Sequence, residues 1–145
     1  MKISNTELNK MYDRVGLDKK TLHKALIQMG TKHLKTKQMR DNWSVNNPTK
    51  NYCYVVAEFV YYYLTQKKSI PYKLSGIPED DGLHRFVKLD DGTIIDLAVE
   101  QFENYEDVDY ERAKVCYFIQ NKYLKNRPSK RTRILADLCG YGNLY

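Results

Sequence analysis

Cysteine is scarce in this chain. Its 145 residues hold three thiols, Cys53, Cys116 and Cys139. An odd number with no two close together fits neither a disulfide framework nor a zinc knuckle. No apolar run approaches the roughly 20 residues needed to cross a bilayer. Met1-Lys2-Ile3-Ser4-Asn5-Thr6-Glu7 also lacks the long apolar core of a signal peptide. A reducing, cytoplasmic setting without membrane contact is therefore the expectation. There is no internal repeat and no low-complexity tract. No Cys, Asp or Glu pattern with ligand spacing surrounds His23 or His33. Both read as surface histidines, and no metal or organic cofactor is expected.

The length suits one domain over residues 1–145 with its own hydrophobic core. Within it, residues 1–40 read as a helical extension. The formal net charge is +6, unevenly spread. Glu100, Glu103, Glu106, Asp107, Asp109 and Glu111 form an acidic run. Arg112, Lys114, Lys122, Lys125, Arg127, Lys130, Arg131 and Arg133 follow with no acidic residue between them. Such patterning serves solubility, and it also suits an acidic partner or nucleic acid.

The spacing predicts a helix over Leu17–Met29, capped by Asp18 and ended at Gly30. A second, weaker helix is expected over Thr31–Met39. Trp43 to Asn51 is a loop by its Asn, Ser, Pro and Thr content. Tyr52 to Gln66 then reads as a central helix whose face Cys53, Val56, Ala57, Val60 and Leu64 puts the thiol on the core side. Strands are expected over Ile70–Ile77 (an edge strand or a strand start at Pro71), His84–Leu89, Thr93–Val99 and Val115–Ile119, with a polar loop over Pro78–Gly82. Pro128-Ser129 starts a basic C-terminal helix carrying Ile134, Leu135 and Leu138, ended by Gly140. The last residues, Tyr141 to Tyr145, carry no readable signal. The fold class that follows is α+β: a central helix with Cys53 at its N-terminus packed on a small antiparallel sheet, flanked by N- and C-terminal helices. Residues 41–139 form a Cys-His-Asp core.

A thiol at a helix start, an imidazole on one strand and a carboxylate on the next suit nucleophilic thiol chemistry. Hairpin parity tests the idea. A two-residue Asp91-Gly92 loop would put His84 and Asp96 on opposite faces. A three-residue Asp90-Asp91-Gly92 loop closes Leu89 against Thr93 and sets Phe86 opposite Asp96. His84 and Asp96 then share one face as diagonal neighbours. Three-residue loops favour a left-handed third residue, and Gly92 sits there. In this reading Cys53 is the nucleophile, because a thiol near its ordinary pKa of ~8.5 is activated by a helix N-terminus and an imidazolium. His84 is the acid/base, and Asp96 orients it. The Cys53 N–H and the Asn47 amide are candidate oxyanion donors. The alternative for Cys53 is a buried small hydrophobe, the reading given to Cys116 and Cys139.

Several of these residues carry a resemblance. Trp43, Asn47-Pro48-Thr49 with Cys53 four residues on, His84, Asp90-Asp91-Gly92-Thr93-Ile94-Ile95-Asp96-Leu97 and Gln101-Phe102 resemble the YunG-like family of small bacterial proteins. Tyr123-Leu124 and Arg133-Ile134-Leu135 echo it more weakly, so the likeness runs over about residues 40–138. The resemblance implies an arrangement like the papain-like and transglutaminase-like cysteine hydrolases, with a Cys53-His84-Asp96 triad. Two positions depart from its pattern: Asn51-Tyr52 stands where Gly-Gln is expected, and Arg85 where an aromatic is. The expected function is a cysteine hydrolase or acyltransferase acting on an amide or thioester of a protein or small acyl substrate. The alternative is an inactive papain-like fold that binds nucleic acid, a nucleotide or an acidic protein through Lys122, Lys125, Arg127, Lys130, Arg131 and Arg133.

Overall fold

The computed structural model describes residues 3–77, 83–118, 127–142 and 144–145. The loop expected over Pro78–Gly82, the end of the strand expected to reach Ile119, and Lys122, Tyr123, Leu124 and Lys125 lie outside the described residues. Among the described residues the chain is α+β, with five α-helices and one four-stranded antiparallel sheet. No helix among them is long and apolar enough to cross a membrane.

Helix α1 (Asn5–Val15) falls within the helical extension expected over residues 1–40, and the signals that fix its bounds are local. The Ser4 hydroxyl accepts the Glu7 N–H at 3.2 Å, and Gly16 closes the helix at φ +71°. Leu8, Met11 and Tyr12 share one face and are buried. Helix α2 (Lys19–Met29) runs as expected, with Asp18 as its cap and Gly30 after its last residue. The helix expected over Thr31–Met39 is shorter and later: α3 spans Lys37–Asp41. A turn closed by Leu34 N–H on the Thr31 carbonyl occupies the preceding residues, and the Thr36 hydroxyl caps the helix at the Met39 N–H.

The central helix divides in two. Helix α4 (Cys53–Phe59) passes into a π-helical turn over Val60–Leu64, and the Thr65 N–H reaches back to the Val60 carbonyl. That wider turn lets Tyr62 and Tyr63 both be buried while Tyr61 stays half-exposed. Tyr141 and Tyr145, from the tail that carried no sequence signal, pack edge-on against Phe59, Tyr62 and Tyr63. Helix α5 (Lys130–Leu138) begins at Ser129 and docks on α4 through buried Glu58. One Glu58 carboxylate oxygen accepts from the Ser129 N–H, the Ser129 hydroxyl and the Thr132 hydroxyl, at 2.9, 2.6 and 2.6 Å. A buried carboxylate is tolerable only with donors of this kind.

The strands are β1 (Ser69–Leu74), β2 (His84–Leu89), β3 (Ile94–Ile95) and β4 (Lys114–Val115), in the order β3-β2-β1-β4. Strand β1 is therefore interior, not the edge that Pro71 suggested. The Pro71 carbonyl accepts from the Cys116 N–H on the β4 side. In an antiparallel strand a residue's nitrogen faces the same side as its carbonyl. In the register that pairs Tyr72 with Val115 and Lys73 with Lys114, the missing N–H faces the Cys116 carbonyl, which takes an Arg85 N–H at 2.8 Å instead. Strand β3 is shorter than the Thr93–Val99 expected, because the chain turns away after Ile95 into a 3-10 turn over Val99–Gln101. One core joins α1 and α2 to α4, α5 and the sheet, so α1 and α2 pack into the same core as the elements that carry the site.

Candidate functional site

The loop before Cys53 is a run of tight turns. Asn47, Lys50 and Tyr52 each donate their N–H to the carbonyl three residues back, and the Trp43 indole holds the Pro48 carbonyl at 3.0 Å. Asn51 adopts φ +68°, a left-handed conformation that asparagine accepts more readily than most residues. Tyr52, the residue immediately before the cysteine, turns into the core. Its hydroxyl donates to the Gly30 carbonyl at 2.6 Å, and burial pushes its pKa up to about 12. Cys53 then opens α4. It is partly exposed rather than sealed in the core, and its thiol faces the Leu83 carbonyl at 3.5 Å. As the first helical residue its N–H has no intrahelical acceptor.

The hairpin turn decides whether His84 and Asp96 meet. Val87 pairs with Ile95 and Lys88 with Ile94. The Leu89 N–H bonds the Thr93 carbonyl at 2.8 Å, and Gly92 sits at φ +86°. This is the three-residue Asp90-Asp91-Gly92 loop, in the register that sets Phe86 opposite position 96. Asp96 lies just beyond β3, and the Nε2 of His84 stands 2.7 Å from its Oδ2. Both side chains are buried. Because Nε2 is taken by Asp96, Nδ1 is the ring nitrogen left for other partners; Gln101 Nε2 stands 3.4 Å from it, and the nearby Cys53 thiol favours the charged ring.

Burial by itself disfavours charge on His84. The Asp96 carboxylate beside it and the hydrogen bonds to Asp96 and Cys53 overcome that, and its pKa is pushed up to about 10. The imidazolium is therefore the dominant form at neutral pH, opposite the thiol. This is the polarity that a thiolate nucleophile requires.

Three residues that sequence reasoning gave no role complete the surroundings. The buried Tyr110 hydroxyl donates to the same Asp96 Oδ2 at 2.7 Å. Met11, on α1, receives the Asp96 N–H on its sulfur at 3.4 Å. Buried Gln101 places its amide Nε2 3.4 Å from His84 Nδ1 and receives the Asn51 N–H on Oε1, also at 3.4 Å. Gln101 and its neighbour Phe102, whose ring meets the His84 ring edge-on, were visible only as parts of a resemblance. Tyr110 and Met11 left no local signal, because their roles arise from contacts between distant parts of the chain. Asn47 lies beside the site, but its amide donates to the Gln101 main-chain carbonyl at 3.1 Å. It supports Gln101 in the structure as it stands.

Compared with protein-family models, curated proteins and solved structures, the chain matches none. The site therefore stands on its own geometry.

The other expected features are placed as follows. Arg85 is buried, with its guanidinium over the Tyr54 and Phe118 rings and one N–H on the Cys116 carbonyl at 2.8 Å. Cys116 and Cys139 are partly exposed, and burial raises the Cys139 pKa to about 11. His23 lies 3.5 Å from the Glu100 carboxylate, which Lys19 also holds. Among the described residues no group of three or more His, Cys, Asp or Glu could hold a metal ion. Desolvation and the neighbouring charges of Lys32, Arg131 and Lys130 lower the His33 pKa, which marks a shared positive field between the α2–α3 turn and the start of α5.

Proposed function

We propose that this chain is a cysteine hydrolase or acyltransferase acting on an amide or thioester carbonyl, in a YunG-like, papain-like or transglutaminase-like arrangement. The observation that supports it is the buried His84–Asp96 pair, 2.7 Å apart, with the Cys53 thiol at the start of α4 lying 3.5 Å from the carbonyl of the adjacent Leu83. In this reading the Cys53 thiolate attacks the carbonyl carbon, forming a C–S bond, and the carbonyl π pair moves onto oxygen. Collapse of the adduct re-forms C=O and expels the amine or thiol, which takes its proton from His84 Nδ1. Water or another acceptor, deprotonated by His84, then releases the acyl group from sulfur. Asp96 holds the ring in the tautomer that presents Nδ1 to Cys53, and Tyr110 holds Asp96.

Labelling with chloroacetamide tests the reading. Cys53 should react faster than free cysteine at pH 7, and His84→Ala should remove the advantage. A wild-type Cys53 no faster than free cysteine overturns it.

A second reading is a binding module for nucleic acid or another acidic partner. It is favoured by the positive field that Lys32, Lys130 and Arg131 create around His33. Binding of a short single-stranded oligonucleotide should then weaken steeply with added salt. No binding at low salt would rule out the nucleic-acid form of this reading.

A further inference from the structure

We propose that the cavity beside Gln101 is the subsite that selects the substrate, and that it takes a primary ammonium group. The inference rests on the acyl-transfer reading above and names the substrate class: acyl compounds that carry a lysine-like amine. Three parts of the chain converge there. His23 comes from α2, Asn47 and Thr49 from the loop before Cys53, and Glu100, Gln101 and Glu103 from the turn after β3 and the residues behind it. Together they line a cavity of about 340 Å³, a size that suits a small ligand group. Gln101 belongs to this lining, and its amide also stands 3.4 Å from His84 Nδ1. A group seated in the cavity is therefore one side chain away from the acid/base.

The lining holds polar atoms with nothing to bond. Thr49 is only 1% exposed, yet its Oγ1 has no hydrogen-bond partner. Glu100 Oε1 and His23 Nε2 stand 3.5 Å apart, and neither is hydrogen-bonded. Buried polar atoms of this kind cost stability unless something pairs with them. Among the described residues the lining carries two carboxylates, Glu100 and Glu103, and no lysine or arginine, so a cation fits its charge. The net charge of +6 works against cations at long range, which makes any attraction here a local one. No group of three or more His, Cys, Asp or Glu among the described residues could hold a metal ion, and this points to an organic cation. The second Glu100 oxygen, Oε2, is already held by the Lys19 ammonium at 2.8 Å. One carboxylate oxygen is left, which suits an ammonium rather than the two-oxygen grip in which a guanidinium excels. An ammonium brings three donors, for which Glu100 Oε1 and Thr49 Oγ1 are acceptors.

Paired reagents that alkylate Cys53 test this directly. An N-(ω-aminoalkyl)chloroacetamide carries the ammonium, and the N-alkylchloroacetamide of equal length is its neutral match. A series of tail lengths covers the span from the thiol to the cavity. In both reagents sulfur displaces chloride and forms a C–S bond. The rate ratio of the pair is taken within each protein, so a change in the thiol itself cancels. In wild type at low salt the ammonium reagent should be faster by about tenfold at its best length, the scale of one charge-assisted hydrogen bond. Glu100→Gln and Thr49→Val should each bring the ratio below about threefold. Thr49→Val keeps the shape and removes an unpaired hydroxyl, so its urea midpoint should not fall. It carries the test if Glu100→Gln, which also weakens the Lys19 pair, fails to fold. A wild-type ratio below about threefold at every length overturns the proposal. An advantage that survives both substitutions also overturns it, because the ammonium would then be held elsewhere. Wild-type Cys53 no faster than free cysteine with plain chloroacetamide would show instead that the acyl-transfer reading had failed, and the substrate role would fall with it.

Discussion

Replacing Asp96 by Asn should change how stability depends on pH, and by a calculable amount. In the native protein the His84 pKa lies at about 10, against an ordinary value of 6.5. A basic group whose pKa is raised by folding stabilises the native state fully below the unfolded value, and that stabilisation is lost as pH rises through the native value. Between pH 6.5 and about 10 the native state therefore holds one proton that the unfolded chain has released. Linkage then gives a slope of about 1.4 kcal/mol per pH unit and a total on the order of 5 kcal/mol across the window. That is a large part of the 5–15 kcal/mol typical of a domain. Asparagine keeps the shape of Asp96 but removes the charge that opposes burial. Burial then dominates, His84 becomes neutral, and the extra proton disappears from the native state. Urea unfolding followed by circular dichroism from pH 6 to 9.5 would measure this. Wild type should lose stability progressively with rising pH, while Asp96→Asn should stay nearly flat. Parallel profiles would refute the assignment of the imidazolium to His84 and of its cause to Asp96. Acyl transfer by the variant should fall on the order of 10⁴-fold, as expected when the orienting carboxylate of a triad is neutralised.

Tyr110→Phe removes a hydrogen bond to a buried charged oxygen, so it should cost about 1.5–3 kcal/mol in urea unfolding with the m-value unchanged. Gly92→Ala meets nothing within 4 Å of the added carbon, so its cost is the left-handed backbone alone, about 1–2 kcal/mol, read as a lower unfolding midpoint. The turn should hold, and Cys53 labelling should be unchanged. Acyl transfer should decline as pH rises through about 10, where His84 ceases to be an acid. Alkylation of Cys53, which needs no acid, should show no such decline in a stopped-time labelling series.

Much of the site was legible because its parts are local. The strand over residues 84–89 and the left-handed Gly92 follow from residue order, and turn length then puts His84 and Asp96 on one face by parity alone. The cap at Asp18 and the cysteine at the start of α4 are equally short-range. Other parts were not legible, for identifiable reasons. Pro71 suggested an edge strand or a strand start, but the strand is interior and Arg85, distant in sequence, satisfies the Cys116 carbonyl that its missing N–H would have faced. Asp96 read as mid-strand because it sits inside the apolar run Ile94-Ile95-Asp96-Leu97-Ala98-Val99, yet the chain leaves the sheet after Ile95. Tyr52 looked like a defect beside the cysteine, whereas its ring is buried and its hydroxyl holds Gly30.

Residue order was therefore enough to indicate most of the elements and the hairpin register, and to single out the three candidate residues, since each depends on contacts within a few positions along the chain. Tertiary packing decided what surrounds them. Met11 and Tyr110 reach Asp96 from positions 85 residues before it and 14 after it, and Gln101 reaches back 50 residues to the Asn51 N–H while facing His84. Such contacts have no periodicity to read, because they form only when α1, the entry loop and the turns after β3 close on one core.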